Sequence, residues 1–266
     1  TLEKVQCLQE LGVHPTGSMW CLTARAEELH KDPDLLEATV RDIEGNRIVV
    51  PWQRDHNYEG TPTWWSCFNH PSFRAHMRKK VCEAMAGGAK GLHVDDHLGT
   101  AHPAHWNGGC FCDYCMAAFR KWLLANSTPE LLAKAGVESF EGFDYRDLVR
   151  KYATTREEYL KIQNDIPLHQ EFLDCLLQLA AQNVRQLRRL AEDIVEHPVT
   201  LSANAGLPSL PHTVVTPDLT YLVAEVNHHS AQGTGNLWGA LKAYRMAEAI
   251  GREIAATASG TDWAYA

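Results

Sequence analysis

Short apolar segments that end in polar residues recur along the chain and alternate with helical segments. The strands predicted in this way are VHPTGSMWCL, TWWSCFN, AKGLHVDDH, PVTLSANAG, TYLVAEVNHH and REIAATASG. The longest helical stretch between them runs from Pro167 to Glu196, with leucines at helical spacing. Strands that alternate with helices indicate a parallel sheet, because parallel neighbours need a long crossover connection. The sequence therefore favours an α/β fold.

The polar residues gather at the C-terminal end of each predicted strand, in VDDH, SANAG, AEVNHH and SGTDW. This asymmetry is typical of a (β/α)8 TIM barrel, whose active site lies at that end of the strands. A closed barrel needs eight strands and the sequence shows about six. We expect the first and last barrel strands to lie outside this chain. Residues 1–266 are thus predicted to be a single barrel domain from a longer protein, and its open sheet edges would favour a homo-oligomer.

Composition limits the kinds of partner that the chain can bind and the cellular location that we expect. The chain is 45% hydrophobic and 22% charged, which is typical of a packed globular domain. A formal net charge of -8 disfavours nucleic acid, because phosphate binding needs a basic face. No apolar run is long enough to predict a membrane span. The eight cysteines form no dense disulfide framework and the N-terminus does not resemble a signal peptide, so a cytoplasmic location is expected.

Three cysteines lie within six residues in the stretch GGCFCDYCMAAFRKWL. Cys110, Cys112 and Cys115 immediately precede a helix predicted from Ala117 to Ala125. Close cysteine spacing lets one loop wrap a single ion, because thiolates bind zinc tetrahedrally. A structural site uses four ligands, so this motif needs one more ligand from elsewhere in the chain.

The fourth ligand has three candidates. Cys67 in WSCFNHP is favoured, because it follows a predicted strand and the ends of neighbouring barrel strands lie side by side. His102 and His105, in the same loop as the cysteine motif, are the alternatives. The remaining cysteines lie in apolar or helical contexts and are interpreted as core residues; they are Cys7, Cys21, Cys82 and Cys175.

The stretch CFNHPSFR, then a strand ending in acids, then CFCDYCMAAFRKWL, resembles the β-galactosidase-type glycoside hydrolases of family forty-two. Members of that family carry a C-P-N-S-P stretch after one barrel strand and a C-Y-C-x-x-C stretch followed by F-R-x-W-L after the next. PVTLSANAG is similar to the family's fifth strand. The resemblance implies hydrolysis of O-glycosidic bonds in an oligo- or polysaccharide, with no organic cofactor. It also implies a structural zinc held by Cys67, Cys110, Cys112 and Cys115.

A glycosidase needs two carboxylates across the scissile bond. In the family that the chain resembles, the acid is the Glu of an Asn-Glu pair that ends the fourth strand, and the aligned residues here are Asp95 and Asp96. The family's nucleophile ends the seventh strand, where the nearest carboxylate in this chain is Asp262. Glu225 ends the sixth predicted strand instead. Asp96 or Asp95 together with Glu225 is therefore the alternative catalytic pair.

Aromatic and polar residues at the same rim would hold a sugar by stacking and hydrogen bonding. The candidates, each at or just after the end of a predicted strand, are Trp20, His97, Asn204, His228 and Trp263.

Two other functions stay open at this point. One is a catalytically degenerate barrel that binds carbohydrate or serves as a scaffold. The other is a metal-dependent, amidohydrolase-like barrel with a catalytic metal on His93, Asp95, His97 and His228. The second is disfavoured, because such enzymes usually carry His-x-His on a first strand that this chain lacks.

Overall fold

The computed structural model describes residues 2–20, 23–95, 107–204, 216–225 and 238–257. The chain divides into two compact units, each assembled from separate stretches. We call the first the sheet unit; it comprises Thr1–Trp20, Arg78–His97 and Val184–Ala266. We call the second the cysteine unit; it comprises Cys21–Met77 and Leu98–Asn183. That the whole chain is one barrel domain stays a prediction.

The helices of the described residues include one long helix, which nearly matches its predicted bounds, and several of one to four turns. They are α1 (Leu2–Glu10), α2 (Ala26–Lys31), α3 (Pro33–Glu37), α4 (Pro71–Ala86), α5 (Asp113–Ala125), α6 (Pro129–Ala135), α7 (Tyr145–Val149), α8 (Arg156–Ile162), α9 (His169–Val195) and α10 (Trp238–Ala249). Among the helices described, none combines the length and apolar character needed to cross a bilayer.

The strands form one parallel sheet and one short hairpin. They are β1 (Thr16–Trp20), β2 (Asn57–Tyr58), β3 (Thr61–Pro62), β4 (Gly91–Asp95), β5 (Thr200–Asn204), β6 (Tyr221–Glu225) and β7 (Glu253–Thr257). The parallel sheet has the order β1-β4-β5-β6-β7, and β2 pairs with β3. The predicted α/β fold with a parallel sheet is confirmed. Five parallel strands are described, whereas closure into the predicted barrel needs eight.

One face of the parallel sheet is apolar and buried. Its described members are Met19, Leu92, Val94, Leu201, Ala203 and Leu222. Gly17 lies on this face of β1, and a Cβ atom there would be 2.8 Å from the Cβ of Ala84 in α4. The absence of a side chain at Gly17 therefore lets the helix approach the strand closely, which defines this face as the one that packs against α4.

The predicted strand TWWSCFN is wrong as a member of the parallel sheet, since β1 pairs directly with β4. This segment belongs to the cysteine unit, where its residues make isolated antiparallel bridges. The backbone N–H of Cys67 donates to the carbonyl of Ala38 at 2.7 Å, and that of Trp65 donates to Ile48 at 2.9 Å. Because local segments already use these backbone groups, they cannot join a parallel strand.

The cysteine unit has its own core, and aromatic rings dominate it. The ring of Phe172 lies 5.0 Å from that of Tyr145 and 5.1 Å from that of Phe119, between centroids. Phe111 and Tyr159 meet edge to face at 5.1 Å. Such aromatic contacts supply much of the burial energy of a unit this small. They also surround the loop that carries the clustered cysteines.

Candidate metal centre and carboxyl edge of the sheet

Four thiols from two distant segments meet in the cysteine unit. The Sγ atoms of Cys67, Cys110, Cys112 and Cys115 all lie within 4.8 Å of one another. The Sγ of Cys67 is 3.5 Å from the Sγ of Cys112 and 3.5 Å from that of Cys115. All four cysteines are free, so no disulfide joins them. Zinc–sulfur bonds of about 2.3 Å in a tetrahedron place the sulfurs about 3.8 Å apart, so this donor set fits zinc.

A pair of glycines brings the cysteine loop against the aromatic core. Gly108 and Gly109 both have positive φ, at 69° and 121°. A Cβ on Gly108 would lie 2.5 Å from a ring carbon of Tyr159, and one on Gly109 would lie 2.3 Å from a ring carbon of Phe172. Only residues without a side chain allow this backbone path.

Phe111 anchors the loop between two of the ligands. Its side chain is 3% exposed and packs in the aromatic core, and its backbone N–H donates to the carbonyl of Arg41 at 2.8 Å. Cys110 and Cys112 flank it in sequence. Side chains that follow one another in an extended segment point to opposite sides, which separates the phenyl ring from the two thiols.

The helix after the motif begins earlier than predicted. Helix α5 starts at Asp113 rather than Ala117, so Cys112 is its N-cap and Cys115 lies in its first turn. The partial positive charge at a helix N-terminus stabilises thiolates there. The prediction that Cys7 and Cys82 are core residues is wrong, because both are exposed, whereas Cys175 is buried as expected.

One residue of the centre was not anticipated from the sequence. The side-chain N–H of buried Asn69 donates to the Sγ of Cys115 at 3.3 Å. Such outer contacts fix the orientation of a ligand and stabilise its negative charge. Its position two residues after Cys67 is the signal that would have identified it.

The thiols differ in their pKa values. Burial raises the pKa of the Cys67 and Cys115 thiols well above the ordinary value. Hydrogen bonds from Cys110, Cys115 and Cys67 lower the pKa of Cys112. Without a metal, the cluster therefore favours a thiolate on Cys112 that its neighbours solvate. Zinc takes thiolates only, so loading the centre must release the remaining protons.

The sheet unit carries a second group of candidate residues. Opposite the apolar face, Ser18, His93 and Ser202 are neighbours across β1, β4 and β5. The Nδ1 of His93 lies 3.0 Å from the hydroxyl oxygen of Ser202. Parallel strands are usually apolar on both faces, so this polar row departs from the rule. We call this side of the sheet the polar face.

Four predicted site residues end their strands at positions on the polar face. Trp20 pairs with Asp95, Asn204 pairs with Val223, and Glu225 lies two residues beyond Val223 on β6. Alternate residues of a strand lie on the same face, so Asp95 lies on the face of His93. The pairing of the strands places Trp20, Asn204 and Glu225 on that face too. Neighbouring strands are about 4.8 Å apart, so β4 and β6, with β5 between them, are separated by about 10 Å.

Of the two predicted aspartates, Asp95 is the last described residue of β4 and Asp96 lies outside the described residues, so the choice between them stays a prediction. Seven predicted residues lie outside the described residues, and their roles stay predictions; they are Asp96, His97, His102, His105, His228, Asp262 and Trp263.

The amidohydrolase alternative stays a prediction, because His97 and His228 lie outside the described residues. In the described part of the chain, the four cysteines are the one group of three or more ligands with metal-binding spacing. His93, a member of the proposed catalytic set, contacts Ser202.

Comparison with known proteins identifies relatives of one class. No family model matches the chain. An alpha-agarase of Thalassotalea agarivorans is 23% identical over 198 residues, and one of Alteromonas agarilytica is 21% identical over 198 residues; each match covers 71% of this chain. The chain spans only 13% and 14% of the length of those two proteins.

A solved structure has a fold similar to that of this chain. The β-galactosidase from the psychrophilic Marinomonas ef1 superposes with a TM-score of 0.56 at 14% identity, over 86% of this chain and 33% of that one. The two agarases are glycoside hydrolases, so the predicted similarity to that class is confirmed. Membership of family forty-two stays a prediction.

Proposed function

We propose that the protein containing this chain is a glycoside hydrolase that cleaves O-glycosidic bonds in a galactose-containing polysaccharide. The observation that carries the proposal is the shared face and edge of Asp95 and Glu225, with Trp20 and Asn204 beside them. In TIM-barrel enzymes, the parallel strands carry the catalytic groups at that edge. The names of the alpha-agarase relatives, and of a β-galactosidase with a similar fold, support this substrate class.

The two carboxylates have complementary roles in this proposal. One protonates the leaving oxygen, and the other attacks the sugar or activates a water. We assign these roles to Asp95 and Glu225, with Asp96 and Asp262 as the alternatives. The stretch IAATASGTDW, where the seventh strand of family forty-two would end in its nucleophile, contains no glutamate. That difference favours Glu225 as the second carboxylate.

The four cysteines have a structural role in this proposal. Zinc bound by Cys67, Cys110, Cys112 and Cys115 would fill all four of its positions with thiolates, which leaves none for water or substrate. What the ion supplies is a cross-link between the segment of Cys67 and the start of α5.

Hydrolysis assays on the full-length protein test the assignment. We would measure reducing-end release from agarose and from a panel of β-galactosides and other glycans, using Asp95→Asn and Glu225→Gln. Each variant should lose about 10²- to 10⁴-fold in kcat, the usual contribution of one acid–base group. The matched control is Glu253→Gln, because Glu253 pairs with Tyr221 on the same face but at the opposite end of the strands. It should retain the wild-type rate.

Two outcomes would contradict the proposal in different ways. Wild-type rates in both Asp95→Asn and Glu225→Gln would show that other carboxylates do the chemistry. Binding of agarose in affinity electrophoresis without any hydrolysis would instead establish the degenerate, carbohydrate-binding alternative, which the lack of a glutamate in IAATASGTDW favours.

A further inference from the structure

The four thiols of the centre differ in their access to solvent. Cys67, Cys110 and Cys115 are fully buried, whereas Cys112 is half-buried. Phe111 anchors the loop in the aromatic core, and the first turn of α5 holds Cys115. Within the described residues, access to the centre is therefore confined to the corner that Cys112 occupies.

A surface pocket opens at that corner. Its volume is about 410 Å³, and Cys112 lines it together with His70, Tyr114, Asp113 and Arg146. The rings of His70 and Tyr114 meet edge to face at 4.4 Å, which gives one wall a fixed shape. On another wall, Arg146 donates to Asp113 at 2.7 Å. The volume is ample for a small polar molecule to reach the sulfur.

We propose that Cys112 is the modification site of the centre, at which a small peroxide entering this pocket oxidises the thiolate cluster and releases its metal. The inference rests on the proposed metal centre and is independent of the glycosidase assignment. Its geometric basis is the exposure of one thiol and the 3.5 Å separation between the Sγ atoms of Cys112 and Cys67.

The chemistry has two steps. The Cys112 sulfur attacks one oxygen of hydrogen peroxide; an S–O bond forms, the O–O bond breaks, and the departing hydroxide takes up a proton to become water. The Cys67 sulfur then attacks the resulting sulfenic acid, so that an S–S bond forms and the hydroxyl leaves as a second water. Two sulfurs are each oxidised by one electron, and one peroxide is reduced to two waters. The ion loses two of its four ligands.

The order of cysteine modification tests this proposal on the intact, metal-loaded protein. Zinc content is measured first, and limiting hydrogen peroxide or iodoacetamide is then added while a chromogenic chelator reports zinc release. Peptide mass spectrometry follows each cysteine. Exposed Cys7 and Cys82 serve as internal references for uncovered thiols. Within the centre, iodoacetamide should label Cys112 about tenfold faster than the other three, and peroxide should yield a Cys67–Cys112 disulfide as zinc appears.

Variants of exposed residues at the mouth of the pocket test the proposal without disturbing the folding of the protein. Tyr114 is 43% exposed, so Tyr114→Ala should fold normally, widen the entrance and accelerate zinc release. Tyr152, 51% exposed and absent from the pocket lining, provides the matched control Tyr152→Ala, whose release rate should equal that of the wild type.

Three results would overturn the inference. In the first, iodoacetamide labels one of the buried cysteines before it labels Cys112. In the second, peroxide yields a disulfide that does not include Cys112. In the third, Tyr114→Ala and the wild type release zinc at the same rate. Protein prepared in zinc and found free of it would refute the metal centre itself, and that outcome is distinct from a wrong order of labelling.

Discussion

The sheet unit and the cysteine unit position their candidate residues by different means. In the sheet unit, a ladder of parallel pairings fixes the place of Asp95 relative to Trp20, and β5 continues the ladder to β6. In the cysteine unit, contacts between side chains position the candidate ligands. These contacts involve the four thiols, Asn69 and the surrounding aromatic core. Backbone ladders tolerate the loss of any one side chain, whereas a four-ligand centre does not. The two units should therefore respond differently to the same kind of perturbation.

Removal of the metal is the largest perturbation, and we expect it to destabilise the cysteine unit and leave the sheet unit unchanged. Structural zinc contributes about 10 kcal/mol or more of binding free energy in small domains. With a strong chelator, we expect amides of residues 110–123 to lose hydrogen-exchange protection while those of β4 and β5 retain it. Exchange followed by mass spectrometry measures both in one sample.

Matched variants show whether the metal is the cause. Cys115→Ser should reproduce the effect of the chelator, and Cys175→Ser, which alters a buried cysteine outside the centre, should not. Equal loss of protection in both units would contradict the contrast between them.

Acid should weaken the cysteine unit through a buried histidine. His169 is 5% exposed, its Nδ1 lies 3.1 Å from the hydroxyl of Tyr159, and burial lowers its pKa to about 4. Because the unfolded chain binds this proton more tightly, with a pKa near 6.5, the stabilisation is complete above about pH 6.5 and is lost as the pH falls towards 4. The lost free energy of unfolding should reach about 3 kcal/mol.

Urea unfolding between pH 4.5 and 7.5, comparing wild type with His169→Gln, isolates this contribution. The variant should lack this part of the pH dependence. Identical pH slopes in the two proteins would show that His169 is not the titrating group.

The smallest expected effect concerns the close packing of β1. Gly17→Ala places a Cβ atom 2.8 Å from that of Ala84 and should cost about 1–3 kcal/mol of unfolding free energy, as overpacking does. In the double variant with Ala84→Gly, part of that cost should be recovered, less the roughly 1 kcal/mol penalty of glycine in a helix. Denaturant unfolding measures both.

Ser18→Ala is the neighbouring control. Ser18 is exposed on the polar face, so the change should stay within about 0.5 kcal/mol. A larger cost at Ser18 than at Gly17 would reverse the assignment of the two faces.

Hydrophobic patterning predicts most strands of the parallel sheet correctly and is wrong for one segment, TWWSCFN. Five of the six predicted strands form the parallel sheet, because each is a short apolar run between turn and helix signals. The sixth, TWWSCFN, has the same local character but hydrogen-bonds to residues near Ala38 and Ile48. A strand-like pattern gives the tendency to extend, and it does not specify the partner.

Cys67 shows the same distinction within the metal centre. It was favoured as the fourth ligand because it was expected to follow a strand of the sheet. Cys67 instead belongs to a segment of the cysteine unit, and its backbone N–H donates to the carbonyl of Ala38. From there its thiol joins the cluster. The four predicted cysteines therefore come together as expected, but Cys67 reaches them from a different part of the fold.

The sequence by itself determined the alternation of strands and helices, the polar strand ends and the three cysteines of one loop, because these depend on residues near one another in the chain. Only the tertiary structure decided that Asp95 and Glu225 share a face, that Cys67 joins the other thiols, and that Cys112 lines a pocket. Strand register, long-range contacts and burial all arise between residues distant in sequence. No local pattern encodes them.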